Sequence, residues 1–341
     1  MTVQEALNMY NIPYTVTATT TAGGFTSYQL TPAGAQATPE KLKSRLGALS
    51  VALCKDCEMI IDNFILYLRV RDGDRLYFNY TDYNGYIDYN DPNVQYIVGF
   101  NTSGGLVMDD LDSARHLLIA GTTGSGKSVF LHNLIHTFCC NPWTNIYIVD
   151  CKKVELSVYS PRAYVVSDVF GEKSAARLTA DFTRIIDQRY DDMLKCGVNN
   201  FTDYRKIKPQ EKRNILIIDE LADLINDKHS KKVIIPRLLR IAQIGRAAGC
   251  HLILATQRPD HTVINGTLKG NLPTRLAFNT ISATDSRVIL DRTGAERLTG
   301  NGDGLYLRNA SQSLERIQAP YISLDYIQDK MLKYKRERGI A

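Results

Sequence analysis

The chain has 341 residues, of which 44% are hydrophobic and 23% charged, a composition typical of globular proteins with substantial cores. No apolar run approaches the roughly 20 residues of a transmembrane helix, and the N-terminus lacks the basic and apolar segments of a secretory signal. The seven cysteines are an odd number without the spacing of a disulfide framework. We therefore expect a cytoplasmic protein with reduced thiols.

The net charge of +5 is distributed unevenly. Residues 231–341 hold 18 Lys and Arg against 9 Asp and Glu, a balance of +9, so residues 1–230 carry −4. A basic C-terminal third predicts that a polyanion meets one side of the molecule, although a solvated basic surface would look the same.

Residues 1–95 are expected to form a small α+β domain. Residues 14–21 alternate β-branched side chains, and residues 26–31 have the pattern of a return strand, so the two segments predict a hairpin. Residues 39–53 place leucines at helical spacing after Thr38 and Pro39, which predicts a helix. Residues 60–70 indicate one long strand or a strand pair, and residues 79–92 indicate a linker near the domain boundary.

Residues 96–341 are expected to form a second domain, built around a glycine-rich loop between an apolar run at 117–120 and an amphipathic segment at 129–139. The spacing fits the phosphate-binding pattern G-x4-G-K-[ST], whose backbone N–H groups face phosphate oxygens at the start of a helix. In this pattern Lys127 reaches the β- and γ-phosphates of ATP, and the Ser128 hydroxyl binds Mg²⁺. The predicted nucleotide-binding residues are Gly121, Thr122, Thr123, Gly124, Ser125, Gly126, Lys127, Ser128 and Val129.

A second motif follows at residues 214–220, where four consecutive aliphatic residues precede two acids. The run predicts a strand buried on both faces, and ligands of open α/β sheets bind at the carboxyl ends of such strands. We expect Asp219 to hold Mg²⁺, directly or through water, and Glu220 to orient and deprotonate the attacking water.

The next strand, predicted at residues 251–255, ends in Thr256 and Gln257. Gln257 either senses the γ-phosphate or simply caps the strand; the local sequence supports both interpretations. Alternating strands and helices, the latter predicted at 172–196 and 233–249, indicate a parallel, doubly wound sheet.

These motifs resemble, in order, those of the FtsK/SpoIIIE DNA translocases. The matching segments cover about residues 96–325 and lie at 116–128, 150–156, 218–224, 246–249, 255–259, 271–278, 285–291 and 294–303. The resemblance implies an α/β fold with a RecA-like P-loop core. It also implies a hexameric ring that uses ATP and Mg²⁺ to move double-stranded DNA through its channel. Residues 1–95 resemble, more weakly, the small α domain that precedes the motor in this family.

The sequence departs from the family pattern in two respects. The Asp-Pro-Lys motif is replaced by Asp150-Cys151-Lys152, which keeps the polar residues. The sequence shows no membrane segment and no C-terminal winged helix, which fits either a truncated chain or a compact translocase of a mobile element or phage. We therefore expect DNA-sequence-directed orientation or membrane targeting only with a separate partner.

A ring places ATP between subunits, so a neighbour should insert an arginine to stabilise the transferring phosphoryl group. Arg246 and Arg240 are the candidates for this finger, followed by Arg275; surface or packing roles are the alternatives. DNA contact is expected from loops at 262–271 and 283–303, through phosphates rather than bases. The candidate DNA-binding residues are Lys269, Arg287, Arg292 and Arg297, some of which could instead form subunit contacts.

Two other functions remain open at this point. Related motors use the same cycle for conjugation or protein secretion, moving single-stranded DNA or protein. A nucleotide-binding switch without motor activity is disfavoured by Glu220 and Gln257.

Overall fold

The computed structural model describes residues 1–22, 25–53, 55, 57–71, 78–101, 104–264, 266–309 and 313–339. The chain divides into two compact units. The smaller comprises Met1–Leu76 and Phe100–Leu106, and the larger comprises Tyr77–Gly99 and Val107–Ala341. The expected domain boundary near residue 95 stays a prediction.

The smaller unit is a four-stranded antiparallel sheet with two helices. Its elements are α1 (Val3–Met9), β1 (Tyr14–Ala22), β2 (Phe25–Pro32), α2 (Pro39–Leu53), β3 (Cys57–Asp62) and β4 (Ile65–Arg71), with strand order β1-β2-β4-β3. The predicted hairpin and the predicted helix at 39–53 are confirmed, and residues 60–70 form a strand pair. Leucines of α2 and β4 form the buried core with Val3 and Leu7 of α1.

The larger unit alternates strands and helices. Its elements are α3 (Tyr80–Tyr83), β5 (Gln95–Asn101), β6 (Leu106–Asp110), α4 (Leu111–Ala114), β7 (Leu117–Ala120), α5 (Lys127–Cys140), β8 (Thr144–Val149), β9 (Tyr164–Val166), α6 (Ala175–Lys195), α7 (Phe201–Ile207), β10 (Arg213–Ile218), α8 (Leu221–Leu224), α9 (Lys228–Ile244), β11 (Cys250–Thr256), α10 (Gly266–Gly270), β12 (Thr274–Phe278), α11 (Ala283–Leu290), β13 (Asp303–Leu307), β14 (Glu315–Gln318) and α12 (Leu324–Glu337). Within the described residues, none of these helices combines the length and apolar composition needed to cross a membrane.

Ten strands form one sheet in the order β6-β5-β14-β13-β12-β7-β11-β10-β8-β9. The six strands from β12 to β9 are parallel, and their registers bring the carboxyl ends of β7, β11, β10 and β8 to one edge. Strand β10 is buried at every residue, as its aliphatic run predicts. The phosphate-loop segment and the acidic pair therefore leave the sheet at the same edge.

The sheet is mostly parallel, as expected from the sequence, and has antiparallel strands on one side of the parallel ones. Strand β13 pairs antiparallel with both β12 and β14. A short connection suffices for an antiparallel pair, whereas a parallel one needs a crossover of a dozen or more residues. The strand–helix alternation on which the prediction was based does not extend to these last strands.

Helices α6 and α9 pack on one face of the parallel strands, where their apolar residues join a continuous buried core. Helix α9 begins at Lys228, five residues before the predicted start, because Asp227 caps it by accepting from the backbone N–H groups of His229 and Ser230. The helix ends at Ile244, and residues 246–248 form a separate 3₁₀ turn before β11. The first turn of α9 is polar, so hydrophobic periodicity could not detect it.

Candidate active site

The loop between β7 and α5 has the backbone conformation that a phosphate-binding loop requires. Gly124 and Gly126 adopt φ values of +78° and +105°, a region that side chains disfavour. Gly121 lies against strand β12. A Cβ there would lie 2.6 Å from the Cβ of Phe278, so this glycine permits close packing of the loop on β12.

Part of the predicted nucleotide-binding set is occupied by internal hydrogen bonds. The Ser125 N–H donates to the Thr122 carbonyl at 3.1 Å, and the Thr122 N–H donates to the Asn279 carbonyl at 2.9 Å. Ser125 is also buried, and neither it nor Gly121 lines the adjacent cavity. The predicted residues that do line it are Thr122, Thr123, Gly124, Gly126, Lys127, Ser128 and Val129.

This cavity has a volume of about 350 Å³, sufficient for a nucleotide-sized ligand. Its other walls come from Lys152, Gln257, Asn301 and Gly302, and from the segments at Phe78 and at 318–321. Backbone hydrogen bonds join the last two segments, because the Tyr321 N–H donates to the Phe78 carbonyl at 2.6 Å. The sequence analysis missed both aromatic walls, since no motif marks residues that distant parts of the chain bring together.

Lys127 and Asp219 connect the loop to β10. The Lys127 Nζ donates to the backbone carbonyl of Asp219 at 3.0 Å, and the lysine is only 3% exposed. Burial lowers the pKa of Lys127, although the charge of Glu220 opposes the shift. A buried ammonium in this position favours binding of a polyanionic ligand, because the negative charge of a phosphate would stabilise the charged form of the lysine.

Asp219 has one carboxylate oxygen in use and one without a partner. Its Oδ1 accepts from the Cys151 N–H at 2.8 Å, a bond that a proline at position 151 could not form. Its Oδ2 is buried and has no hydrogen-bond partner within the described residues. Burial raises the pKa of Asp219, while the Cys151 hydrogen bond opposes this shift. An unpartnered carboxylate oxygen on a residue that also contacts the P-loop lysine fits a Mg²⁺ ion or its bound water.

The Ser128 hydroxyl faces a second charged pair. Lys152 Nζ lies 2.5 Å from Glu155 Oε2. Burial acts to raise the pKa of Glu155, but hydrogen bonds from Lys152 and Ser128 outweigh burial and lower this pKa. Glu155 is therefore a polar neighbour of the expected metal ligand that the sequence analysis did not assign.

Glu220 is held by strand β11. Its carboxylate accepts from the Thr256 hydroxyl at 2.6 Å and from the Gln257 N–H at 2.8 Å. The Gln257 side chain continues the chain of contacts, since its Oε1 accepts from the Thr123 hydroxyl at 2.8 Å. Hydrogen bonds thus connect Glu220, which follows β10, to Gln257, which follows β11, and Gln257 to Thr123 in the phosphate loop after β7.

A model of the FtsK/SpoIIIE family matches residues 84–216 and 208–261, which together span just over half of the chain. The chain belongs to the FtsK/SpoIIIE family. It is 36% identical over 242 residues to the DNA translocase FtsK of Tropheryma whipplei, an alignment covering 66% of this chain and 32% of that protein. It is 38% identical over 249 residues to the DNA translocase FtsK of Streptomyces coelicolor, covering 66% and 26%. The chain therefore spans about a third or less of these relatives.

Solved structures agree on the fold. The monomer form of the pCW3 conjugation coupling protein TcpA with ATPγS matches over 98% of both chains, with a TM-score of 0.70 and 24% identity. The cytoplasmic domain of the type VII secretion ATPase EccC of Thermomonospora curvata matches 75% of this chain and 34% of its own, with a TM-score of 0.63 and 22% identity. The P-loop ATPase fold expected from the sequence is confirmed.

The three arginines considered as fingers have different surroundings in this member of the FtsK/SpoIIIE family. Arg246 is exposed in the turn that precedes β11, at the sheet edge opposite the phosphate loop, and forms no ion pair with the described residues. Arg240 is exposed on α9 and lies 2.6 Å from Asp187 of α6. Arg275 is only 3% exposed, and its guanidinium donates to Asp291 and to backbone carbonyls at 269, 272 and 289. Arg275 would have to break all of these contacts to reach a neighbouring subunit.

The four candidate DNA-binding residues also differ. Lys269 pairs with Asp291 at 2.6 Å, which neutralises much of its charge. Arg287, Arg292 and Arg297 are exposed, on α11 and in the segment that follows it. Residue 265, in the first candidate loop, lies outside the described residues. Arg297 lies 3.5 Å from the Glu296 carboxylate, so Arg287 and Arg292 are better placed than Lys269 to meet a phosphate backbone.

Proposed function

We propose that this chain is an ATP-hydrolysing motor that moves double-stranded DNA and works as a ring of subunits, six in the family arrangement. The observation that carries the proposal is the path from Glu220 through Gln257 to Thr123, beside the phosphate loop. A nucleotide-binding switch does not need a buried acid aligned with a cavity lysine and glutamine. The family membership supports DNA as the moved substrate, and the basic C-terminal third agrees with it.

The phosphates of ATP would lie against the N–H groups at the start of α5, with Lys127 at the β- and γ-phosphates. Ser128 and Asp219 would hold Mg²⁺, which neutralises charge on the phosphate oxygens when bound. Glu220 would accept a proton from the attacking water, since its hydrogen bonds to Thr256 and Gln257 fix the carboxylate in place.

Gln257 would sense the γ-phosphate. Because Oε1 accepts from Thr123, the amide orientation is fixed and the Nε2 group is the end left to donate. A donor lining the cavity can bind a phosphate oxygen, and loss of that oxygen after hydrolysis would alter the contact between β11 and the loop. This contact would report the nucleotide state to the rest of the motor domain.

Arg246 is our first candidate for the finger inserted into a neighbour's site. Its position at the edge opposite its own phosphate loop excludes action on its own nucleotide without a large movement, and suits action in trans. We expect Arg246→Ala to bind ATP and to lose hydrolysis by about a thousandfold. Arg240→Ala, which removes an exposed arginine already paired with Asp187, is the matched control and should retain most activity.

Mixing two inactive variants tests the trans arrangement directly. Lys127→Ala subunits keep Arg246, and Arg246→Ala subunits keep an intact phosphate loop. A mixture should therefore recover hydrolysis that neither variant has alone, because some interfaces combine both intact parts. Lack of recovery, with both variants folded and assembled, would contradict action in trans.

The substrate is tested by steady-state hydrolysis with and without long linear duplex DNA. We expect strong stimulation by duplex that weakens steeply with salt and is independent of DNA sequence. Stimulation by single strands or by a protein, but not by duplex, would instead favour a conjugation or secretion motor. Arg287, Arg292 and Arg297 are the residues whose loss should reduce duplex stimulation.

A further inference from the structure

Residues 299–303, which we name the clamp loop, lie directly on the phosphate loop. The Gly302 N–H donates to the Ser125 carbonyl at 2.8 Å, and the Asn301 N–H donates to the Gly124 carbonyl at 3.2 Å. The approach depends on glycine, because a Cβ on Gly126 would lie 2.3 Å from the Gly302 nitrogen. The backbone of one loop thus supports the backbone of the other.

These hydrogen bonds decide where the phosphate-loop N–H groups point. In a planar trans peptide the carbonyl and the following N–H point in opposite directions. Because Gly302 holds the Ser125 carbonyl, the Gly126 N–H is directed away from the clamp loop. No acceptor for this N–H occurs within the described part of the chain, and Gly126 lines the cavity. The clamp loop therefore leaves the Gly126 N–H available to a ligand.

The clamp loop is itself fixed by a buried ion pair. The Asp303 carboxylate is 1% exposed and accepts from Arg316 Nε at 2.9 Å and Nη2 at 2.8 Å. The same carboxylate accepts from the Thr299 N–H and hydroxyl, both at 2.9 Å, which closes the loop on itself. A two-point arginine–carboxylate pair fixes orientation as well as distance.

Strand β14 supplies two further contacts to the same loop. Gln318 Nε2 donates to the Asn301 carbonyl at 2.8 Å, and the Ala319 N–H donates to the Gly302 carbonyl at 2.8 Å. Gln318 therefore holds from behind the Asn301–Gly302 peptide, whose N–H contacts Ser125, and Ala319 holds the peptide that follows it. All of these contacts that hold the clamp loop come from the protein itself and none involves the nucleotide.

We propose that Asp303 and Arg316 are positioning residues for nucleotide binding, which hold the clamp loop so that it orients the phosphate loop before ATP arrives. This inference rests on the proposed role of residues 121–128 in binding the phosphates. Neither residue touches the nucleotide; both act through the Gly302–Ser125 hydrogen bond.

The test compares Arg316→Gln with Arg308→Gln. Arg308 also pairs with a buried aspartate, Asp109, at 2.6 Å, but it follows the end of β13 whereas Asp303 begins that strand. The two variants thus break similar ion pairs at opposite ends of one strand. Binding of a fluorescent ATP analogue, and amide hydrogen exchange of residues 121–128 without nucleotide, are measured for both.

Arg316→Gln should weaken nucleotide affinity by about tenfold or more, equivalent to the loss of one well-aligned contact, and should speed exchange in residues 121–128. Arg308→Gln should leave the affinity within about twofold and this exchange unchanged, even where it lowers the melting temperature. Arg316→Lys, which keeps the charge and loses the two-point geometry, should fall between. Wild-type affinity and exchange in a folded Arg316→Gln would overturn the inference.

Two further variants make the result decisive. If Arg316→Gln does not fold, Thr299→Val removes one donor to Asp303 and should still raise exchange in residues 121–128; unchanged exchange would overturn the inference. Lys127→Ala tests the proposed site itself. Wild-type affinity in Lys127→Ala would mean that phosphates do not bind at residues 121–128, a failure distinct from that of the clamp loop.

Discussion

The two ends of the parallel strands both carry buried ionisable groups, but the groups are used differently. At the carboxyl ends, Asp219 has a buried carboxylate oxygen without a partner in the described chain, and its backbone carbonyl accepts from Lys127, which lines the cavity. At the amino ends, the 2%-exposed Arg213 contacts Asp112, His251, Asn93 and the Pro92 carbonyl. Satisfied charges hold a structure together, whereas an unsatisfied group next to a cavity indicates a binding or catalytic role.

The largest effect should follow from Glu220→Gln at the carboxyl ends. Removing the proposed base should lower ATP hydrolysis by about 100-fold or more, because amide nitrogen and oxygen cannot accept the water's proton. ATP affinity and melting temperature should change little, since an isosteric amide can keep most contacts with Thr256 and Gln257. Hydrolysis within tenfold of the wild type would assign the base to another residue.

Arg213→Met at the amino ends should have the opposite profile. We expect the free energy of unfolding to fall by about 2–3 kcal/mol, since His251 and the Pro92 carbonyl lose a donor. The half-exposed Asp112 can turn to water, which keeps the loss below that of a fully buried pair. Urea unfolding measures the loss, and nucleotide affinity should stay within about twofold. A stability change below about 1 kcal/mol would contradict the structural role.

Acid should weaken the amino-end cluster. Burial, and then the charge of Arg213, lowers the pKa of His251 far below its usual range; burial lowers that of His116 to about 4. Below pH ~6.5 these histidines bind protons in the unfolded chain but not in the folded chain, so the stability of the folded protein falls as the pH drops. Each such histidine lowers the free energy of unfolding by about 1.4 kcal/mol for each pH unit below this value.

The check is urea unfolding at pH 7 and pH 5.5 for the wild type and for His251→Asn. Other buried histidines affect both proteins equally, so the difference in pH dependence isolates His251. We expect the variant to lose less stability between the two pH values. Equal losses would mean that His251 is protonated in the folded protein.

The smallest effects should come from a pair of threonines. Thr123→Val removes the hydroxyl that donates to Gln257, and should lower turnover severalfold with little change in stability. Thr144→Val removes a buried hydroxyl that donates to the Phe138 carbonyl at 2.8 Å, at the start of β8. It should lower stability by about 1 kcal/mol and leave turnover unchanged. If Thr123→Val and Thr144→Val changed turnover and stability in the same way, the distinction between the two ends of the strands would be contradicted.

Local patterns predicted the parts of the site that lie next to one another in sequence. The loop at 121–128 and the strand before Asp219 were found because spacing and burial on both faces are properties of short segments. Residues 299–303 were expected to belong to a DNA-contact loop, and their contact with the phosphate loop was not predicted, because it depends on pairing of β13 with β12 and β14. The aromatic walls were not found, because distant parts of the chain bring them together. The charge of Lys269 suggested DNA contact, but only the structure shows its pairing with Asp291. The roles of the individual site residues remain predictions.

The central claim is tested most directly by unfolding three proteins with and without a non-hydrolysable ATP analogue and Mg²⁺. At a ligand concentration 100 times its Kd, the wild type should gain about 2.7 kcal/mol of stability. Arg213→Met should start from a lower stability and gain the same amount, whereas Lys127→Ala should start near the wild type and gain almost nothing. A full gain in Lys127→Ala, or loss of the gain in Arg213→Met, would contradict the division between a binding end and a structural end.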